Sequence, residues 1–549
     1  MREIVPVTAP TPARGAGSDG RGGPITRSRP GSLPGPPSPP RAPRLGTGAL
    51  LAAGVAASTM VVVAGGAVGP VPGTRVASSW WGLLRAQPVD PGRDPWPGLL
   101  LFAGVAALAG TWLLLVRRVR DGDIGSRTLW WVGAGWALPL AVGPPVLSGD
   151  VFSYAAQGIM QLRGLSPYRL GPAALGAGPA LASVDPRWRH AVSPYGPVAA
   201  FVERLAAWLG GTEVGTALVL RVVAVAGVVA IGTLAQRLAP PHLRLGALAL
   251  TVANPLLLLQ GLSAAHFEVL LGVAVLASLL AAARGRPCLA VVLACVAGAV
   301  KFPGMVPALL VGLAVVARAP AAGADPGETG GRRPGLAVVG VTAAGVASWL
   351  VLSHLLGDGW GWLRGLRTPG AGMTPLAPTQ LLAGALGWPL AHLHLVSEAA
   401  VTSASRLAGV AAAVGVAAWL LGTHRRRSMP ATAGAVLLAG AVLAPVVYPW
   451  YLLWGVLCLA PVVAGPARGW LVGLCAVGSV MNVPGMPPHL IASVGIGVGI
   501  LALGAGALGL RSLRRDPLAG PGCDQPSRVV RGRHGRQRGG ATTGGGASA

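Results

Sequence analysis

Long apolar runs recur along most of this 549-residue chain, near 48–70, 97–116, 128–147, 214–236, 244–263, 267–284, 287–300, 304–318, 335–355, 399–421, 430–446, 449–464, 469–484 and 491–510. A helix needs about 20 apolar residues to cross the hydrocarbon core of a bilayer. In that core each backbone N–H and C=O must find its partner within the segment, so runs of this kind fold as helices. The expected fold class is an all-α polytopic membrane protein, a bundle of about 12–14 transmembrane helices. Charged residues make up 11% of the chain, against about 25% in a soluble domain. That excludes a cytosolic multidomain enzyme, and a hydrophobic content of 52% excludes a chain disordered throughout. The five cysteines lack metal-ligand spacing, and four of them (Cys288, Cys295, Cys458, Cys475) sit in apolar runs, so a secreted disulfide scaffold is excluded too.

Residues 1–47, rich in Pro, Gly, Ser and Arg, and residues 511–549, rich in Arg and Gly, are expected to be disordered tails around a transmembrane domain at 48–510. The net charge of +26 invites a nucleic-acid partner, but the basic residues lie in the tails and in short loops between apolar runs. That distribution is the positive-inside pattern together with attraction to anionic membrane lipids, so no nucleic acid is expected. Arginines cluster at 117, 118 and 120, at 237 and 244, at 284 and 286, at 332 and 333, at 425–427, and at 511, 514 and 515. With the N-terminus inside, all of these fall on the cytosolic side, provided that 194–211, which holds Glu203 and Arg204 in a helical pattern, lies along the interface instead of crossing. The expected location is the cell membrane, multi-pass, with both tails cytoplasmic.

The same parity places Asp150, His266, Glu268, Lys301 and the aromatic run from Tyr448 outside, with the loops 148–213 and 356–398. Because topology follows from arginines alone, this gathering is a separate pointer to one outward-facing site. Asp150 ends an apolar run with no basic neighbour in sequence, which is costly unless the group is functional or well solvated. It can also cap the helix that follows. If 151–163 is helical, Tyr154 and Gln157 share a face and can hydrogen-bond sugar hydroxyls. Lys301 is the only lysine among 43 basic residues, and it stands between two short apolar pieces at Lys301-Phe302-Pro303, where proline disfavours continuation. Either it snorkels to the interface, or it binds an anion.

Several segments, in order, carry a resemblance: GDVFSYAAQG around Asp150, GLSPY from Gly164 to Tyr168, SPYGP from Ser193 to Pro197, NPLLLLQGLSAAHFE from Asn254 to Glu268, VKFPG from Val300 to Gly304, GWGWLRGLRTPG from Gly359 to Gly370, and YPWYLLWG from Tyr448 to Gly455. Over roughly residues 50–510 the chain resembles the actinobacterial polyprenyl-phosphate-mannose-dependent α-1,6-mannosyltransferases, multispan glycosyltransferases of the GT-C superfamily. The resemblance implies a mannosyl donor on a polyprenyl phosphate, a mannan acceptor of the lipomannan or lipoglycan type, and inversion at the anomeric carbon on the extracytoplasmic face. It also implies that Asp150 is the catalytic base, taking the proton of the attacking acceptor hydroxyl. One carboxylate suffices there, because the leaving phosphate needs no general acid, unlike the leaving group of a glycosidase. The family pattern has Asn-Asp after the histidine, where this chain has Phe267-Glu268, so the carboxylate is kept and lengthened by one methylene.

The leaving phosphate calls for cationic stabilisation. Lys301 is one candidate; Arg221, inside an apolar run, is another, unless it pairs with Glu203; Arg364 and Arg367 lie in the outer loop. His266 and Glu268, two apart, do not share a helical face and so make a poor metal site; they suit a hydrogen bond to the donor sugar or the orientation of Asp150. Tyr168, Tyr448, Trp450 and Tyr451 complete the substrate-binding candidates, with Trp454, Trp360 and Trp362 nearby, either as interfacial anchors or as surfaces for sugar and polyprenyl chain. Asp121-Gly122-Asp123 reads as a solvated turn, and His392-x-His394 lacks the further ligands that zinc needs. No metal or soluble cofactor is expected. Two alternatives stay open: another GT-C transferase with a different sugar or linkage, and a flippase of polyprenyl-linked sugars, although the internal repeats common in transporters are not evident.

Overall fold

The computed structural model describes residues 46–69, 81, 95–317, 332–355, 359–371, 377–481 and 483. The apolar run at 491–510 and nearly all of both expected tails lie outside these residues. Every regular element among the described residues is helical. Among the described residues five helices are long and apolar enough to cross a membrane: Thr47–Val68, Trp96–Arg120, Glu213–Leu238, Gly335–His354 and Glu398–Gly422. The chain is thus an all-α polytopic membrane protein. Helix ends follow local chemistry. Thr212 caps Glu213–Leu238 by accepting from the Gly215 N–H at 3.0 Å, with Glu213 in the first turn and Arg237 in the last, each matching the sign of the helix dipole.

Of the other apolar runs within the described residues several are shorter or broken, and the run at 244–263, expected as one crossing, is not a single helix. The run at 244–263 divides into the helix Arg244–Ala249, a turn, and the π-helix Leu257–Ser263, which meets Glu268–Ala283 at 110°. π-helical turns are rare and tend to occur at functional sites. The break at Lys301 lies where the sequence predicts it. Pro287–Val300 ends, Lys301 is extended at φ −155°, Phe302–Met305 makes one tight turn, and Val306–Val316 resumes.

Between Ser126–Val142 and Glu213–Leu238 the chain forms an arm of short helices, chiefly Asp150–Leu162 and Pro197–Gly210. The two pack so closely that a Cβ on Gly158 would stand 2.2 Å from the Glu203 carbonyl oxygen. The loop before Pro197 is fastened to the lysine break: the Gly196 N–H donates to the Val300 oxygen at 3.0 Å, and a Cβ there would stand 2.3 Å from the Ala299 oxygen, so only glycine fits. On Pro197–Gly210 the alanines are buried while Phe201, Leu205, Trp208 and Leu209 are exposed. The fold thereby brings four distant pieces to one place: the start of Asp150–Leu162, the bend after the π-helix, the Lys301 break and the run from Tyr448.

Candidate active site

Asp150 stands in the first turn of Asp150–Leu162, where the helix dipole favours an anion. It does not cap that helix; the cap is Gly149, with no side-chain bond. The carboxylate faces His266 instead, Oδ2 lying 3.6 Å from Nε2. Ser148 joins the two, its Oγ accepting from the Asp150 N–H at 3.2 Å and lying 3.1 Å from His266 Nε2. A carbonyl can only accept, so the 2.8 Å contact of His266 Nδ1 with the Gln260 oxygen puts a proton on Nδ1. Nε2 then accepts from the Ser148 hydroxyl when the ring is neutral and donates toward Asp150 when it is cationic. Trp450 stacks on the imidazole at 4.1 Å and fixes its plane.

Burial alone would raise the Asp150 pKa, but the His266 hydrogen bond and charge, with Lys301 and Ser148, outweigh it and hold the carboxyl below its ordinary value. A base works when deprotonated, so activity should persist on the acid side to below the usual carboxylate pKa of about 3.9. His266→Gln removes the main lowering partner and leaves the burial. The acid limb of the kcat/KM profile should then move to higher pH, and an unmoved limb would separate His266 from the base.

Four non-glycine residues among the described ones have left-handed backbone, Trp81, Leu147, Ala265 and His394, and two of them adjoin site residues: Leu147 (φ 71°), next to Ser148, and Ala265 (φ 53°), next to His266. Such geometry costs roughly 1–2 kcal/mol per residue and persists only where the surroundings enforce it. Arg221 braces the segments that lead into both. Its guanidinium donates to the carbonyls of Leu140, Ala141 and Gly143 at 2.6, 3.1 and 3.1 Å, and to that of Ser263. It thus ties the segment leading to Asp150 to the segment leading to His266. Arg221 therefore neither lines the pocket nor pairs with Glu203; its donors go to backbone oxygens left free where two helices end. Glu203 is fully buried beside Gln161 Nε2 at 3.5 Å, and burial pushes its carboxyl well above the ordinary range. A lysine cannot reproduce the planar fork. Arg221→Lys should leave buried carbonyls unpaired at about 1–3 kcal/mol each, lowering the Tm of purified protein and reducing kcat more than it changes KM.

Lys301 Nζ donates to Glu268 Oε1 at 2.7 Å, and both residues are buried. The ammonium also lies 4.3, 4.9 and 5.3 Å from the ring centres of Tyr451, Tyr195 and Trp454. One pocket is shared by Asp150, Ser153, Tyr154, Gln157, Tyr195 and Lys301, and Trp188, Tyr448, Trp450 and Tyr451 also line it. The Tyr154 and Tyr195 hydroxyls meet at 2.8 Å, and Phe267 stacks under Tyr154 at 4.4 Å. Burial, then the neighbouring tyrosine or carboxylates, pushes both phenols well above their ordinary pKa, so they stay protonated. The carboxylate, the cation and a set of hydroxyl and amide groups thus face one space suited to a sugar next to an anion.

Some expected residues are elsewhere. Tyr168 turns away after Gly164 (φ 74°) and packs with Ala200 and Trp362. Arg364 is exposed, and the Arg367 side chain lies outside the described residues. Asp121 and Asp123 form ion pairs at 3.7 and 3.8 Å with Arg120 and Arg118 in an exposed turn. Among the described residues no group of three or more His, Cys, Asp or Glu is placed to hold a metal ion. Sequence reasoning missed Ser148, Ser153, Trp188 and Tyr195. Ser153 could have been found at i+3 from Asp150, and Tyr195 lies inside the SPYGP motif. Ser148 and Trp188 carry no signal of their own.

Two family models match the chain, "Alpha-(1->6)-mannopyranosyltransferase, N-terminal domain" over residues 51–317 and "MptB C-terminal domain" over 378–512. Among curated proteins, a probable alpha-(1->6)-mannopyranosyltransferase of Mycolicibacterium smegmatis is 31% identical over 415 residues, covering 68% of this chain and 72% of the relative. Alpha-(1->6)-mannopyranosyltransferase A of Mycobacterium tuberculosis is 29% identical over 66% of this chain and 70% of its own length. Alpha-(1->6)-mannopyranosyltransferase B of Corynebacterium glutamicum is 29% identical over 66% and 65%.

Proposed function

As the chain belongs to the alpha-(1->6)-mannopyranosyltransferase family, we propose that it moves mannose from a polyprenyl-phosphate carrier onto an α-1,6-mannan of the lipomannan or lipoglycan type, at the outer face of the membrane. The acceptor hydroxyl oxygen attacks the anomeric carbon of the donor mannose. Its proton passes to Asp150, a bond forms from that oxygen to the carbon, and the bond from the carbon to the phosphate oxygen breaks with its electron pair leaving on the phosphate. Inversion of a β-mannosyl phosphate gives the α-linkage. The observation that carries this reading is that Asp150 and Lys301, the only lysine in the chain, line one pocket. A base and a cation on one space are what this displacement needs, and a donor anchored in lipid explains why they stand at the mouth of a helical bundle. The arginine groups of the short loops favour a pocket facing away from the cytosol.

The test is to incubate membranes bearing the protein with labelled mannosyl phosphopolyprenol and a short α-1,6-mannoside, then analyse linkages. A product lengthened by one α-1,6-mannose is expected. Transport of the intact lipid-linked sugar without a new glycosidic bond would overturn the reading in favour of a flippase.

A further inference from the structure

The catalytic pocket is one of three adjoining spaces. A second cavity, of about 300 Å³, shares Pro194, Lys301 and Tyr451 with it and is otherwise walled by Trp454, Leu366 and the chain at 444–446. A third, of about 590 Å³, shares Phe302 with the second and runs between Pro287–Val300, Val306–Val316 and Arg332–Leu355, under the turn that carries Trp360 and Trp362. The first space carries most of the hydrogen-bonding side chains; the second, apart from Lys301, Tyr451 and Trp454, and the third are lined almost wholly by apolar ones.

The change of character falls between two consecutive residues. Lys301 is extended, so its side chain and that of Phe302 diverge: the lysine is buried against Glu268, while Phe302 is 52% exposed and stands between the two outer cavities. In the second cavity the Trp454 indole Nε1 is buried and has no hydrogen-bond partner, within reach of the space that Lys301 also lines. A buried N–H left unpaired beside a cation calls for an anionic acceptor. The walls beyond Phe302 call for hydrocarbon, and Trp349 and Trp362, stacked at 5.2 Å, present a flat face to it.

The geometry points to a binding site for the isoprenoid lipid phosphate that extends the pocket: phosphate in the second cavity, held by Lys301 and the Trp454 N–H, and isoprenoid chain past Phe302 in the third. This rests on the proposed lipid-linked donor and deepens it, by assigning the tail to one of the many lipid-facing sides of the bundle. Bilayer lipid is as apolar as these walls, so the cavity adds little affinity for the chain. What it supplies is position, setting how far the sugar extends past Lys301 toward Asp150. Phe302 acts as the gauge of that distance.

The experiment compares kcat/KM for mannosyl phosphates bearing a short, ten-carbon isoprenyl chain and a long polyprenyl chain. Gly345→Trp fills the third cavity from Arg332–Leu355, and the long-to-short ratio should fall by about 10–100-fold, because displacing a reacting group by ~1 Å costs that much. Phe302→Ala, which opens the same passage, should lower that ratio without adding bulk, and so guards against a Gly345 variant that fails to fold. A long-chain donor with a photoreactive diazirine on the isoprene units next to the phosphate should label peptides containing Trp349 or Trp360–Leu363. A ratio unchanged in both variants, with labelling elsewhere or displaced equally by ordinary phospholipid, would overturn the assignment. Wild-type protein that transfers no mannose from either donor would instead overturn the functional reading itself.

Discussion

Asp150→Asn should lower mannosyl transfer by about 10²–10⁴-fold, the range for a removed general base, while donor binding stays near that of wild type. The amide has the carboxylate's shape and can still contact His266 and the Ser148 hydroxyl, so the arm should keep its place. The substitution removes only the capacity to take a proton. Tyr154 and Tyr195 cannot replace it, since burial and the neighbouring carboxylates keep both protonated. Glu203 is fully buried where Asp150–Leu162 packs on Pro197–Gly210 and does not line the pocket. His266 could serve only by turning away from Ser148, and the Gln260 carbonyl and Trp450 hold it in place. The loss should appear in kcat, with KM for the lipid donor little changed. The check is transfer of labelled mannose by purified protein, with donor binding measured separately. Wild-type turnover in Asp150→Asn would remove the base from the mechanism.

Much of this site was legible in the sequence because charge is scarce there. In a chain where 11% of residues are charged, an acid or a base inside an apolar run stands out at once. Asp150, Glu268, Lys301 and Arg221 were all visible for that reason. His266 was offered as a group to orient Asp150, but the pairing of Lys301 with Glu268 and the carbonyl partners of Arg221 were not visible, because pairing depends on how the helices bend. The 110° turn after the π-helix brings His266 to Asp150 and Glu268 to Lys301, and no periodicity announces a π-helix whose seven residues are all apolar or small apart from Gln260. Arg221 was found with Glu203 as one of two alternative partners, and that pairing is not formed, for the same reason. Its donors go to main-chain oxygens of Leu140, Ala141, Gly143 and Ser263, exposed only because two helices end there. Ser148 escaped because a serine between a leucine and a glycine is unremarkable until the fold sets a histidine 3.1 Å away. The long spans were legible, since their signal is apolar length alone; the break at Lys301 was marked by its proline, but the bend after the π-helix was not, since a bend leaves apolar length unchanged.

Lys301 and Glu268 give the second large effect, and it requires the pair to be treated as a unit. Lys301→Met alone leaves a buried carboxylate whose Oε1 has lost its partner and whose Oε2 already has none. Breaking a buried ion pair from one side costs about 3–5 kcal/mol, so this variant should lose both stability and activity, and by itself it cannot tell a strut from an anion site. Glu268→Gln keeps an oxygen for the ammonium and costs less. The double variant Lys301→Met/Glu268→Gln removes both charges, and its Tm should lie above that of Lys301→Met, because no unpaired charge stays buried. The two readings of the lysine separate at that point. A lysine that only satisfied Glu268 would no longer be needed, and transfer would return along with the Tm. A lysine that meets the leaving phosphate stabilises charge that develops at the transition state, for which methionine is no substitute. The expected result is a double variant with recovered Tm, transfer still depressed by about 10²-fold or more, and a KM for the lipid donor well above that of wild type.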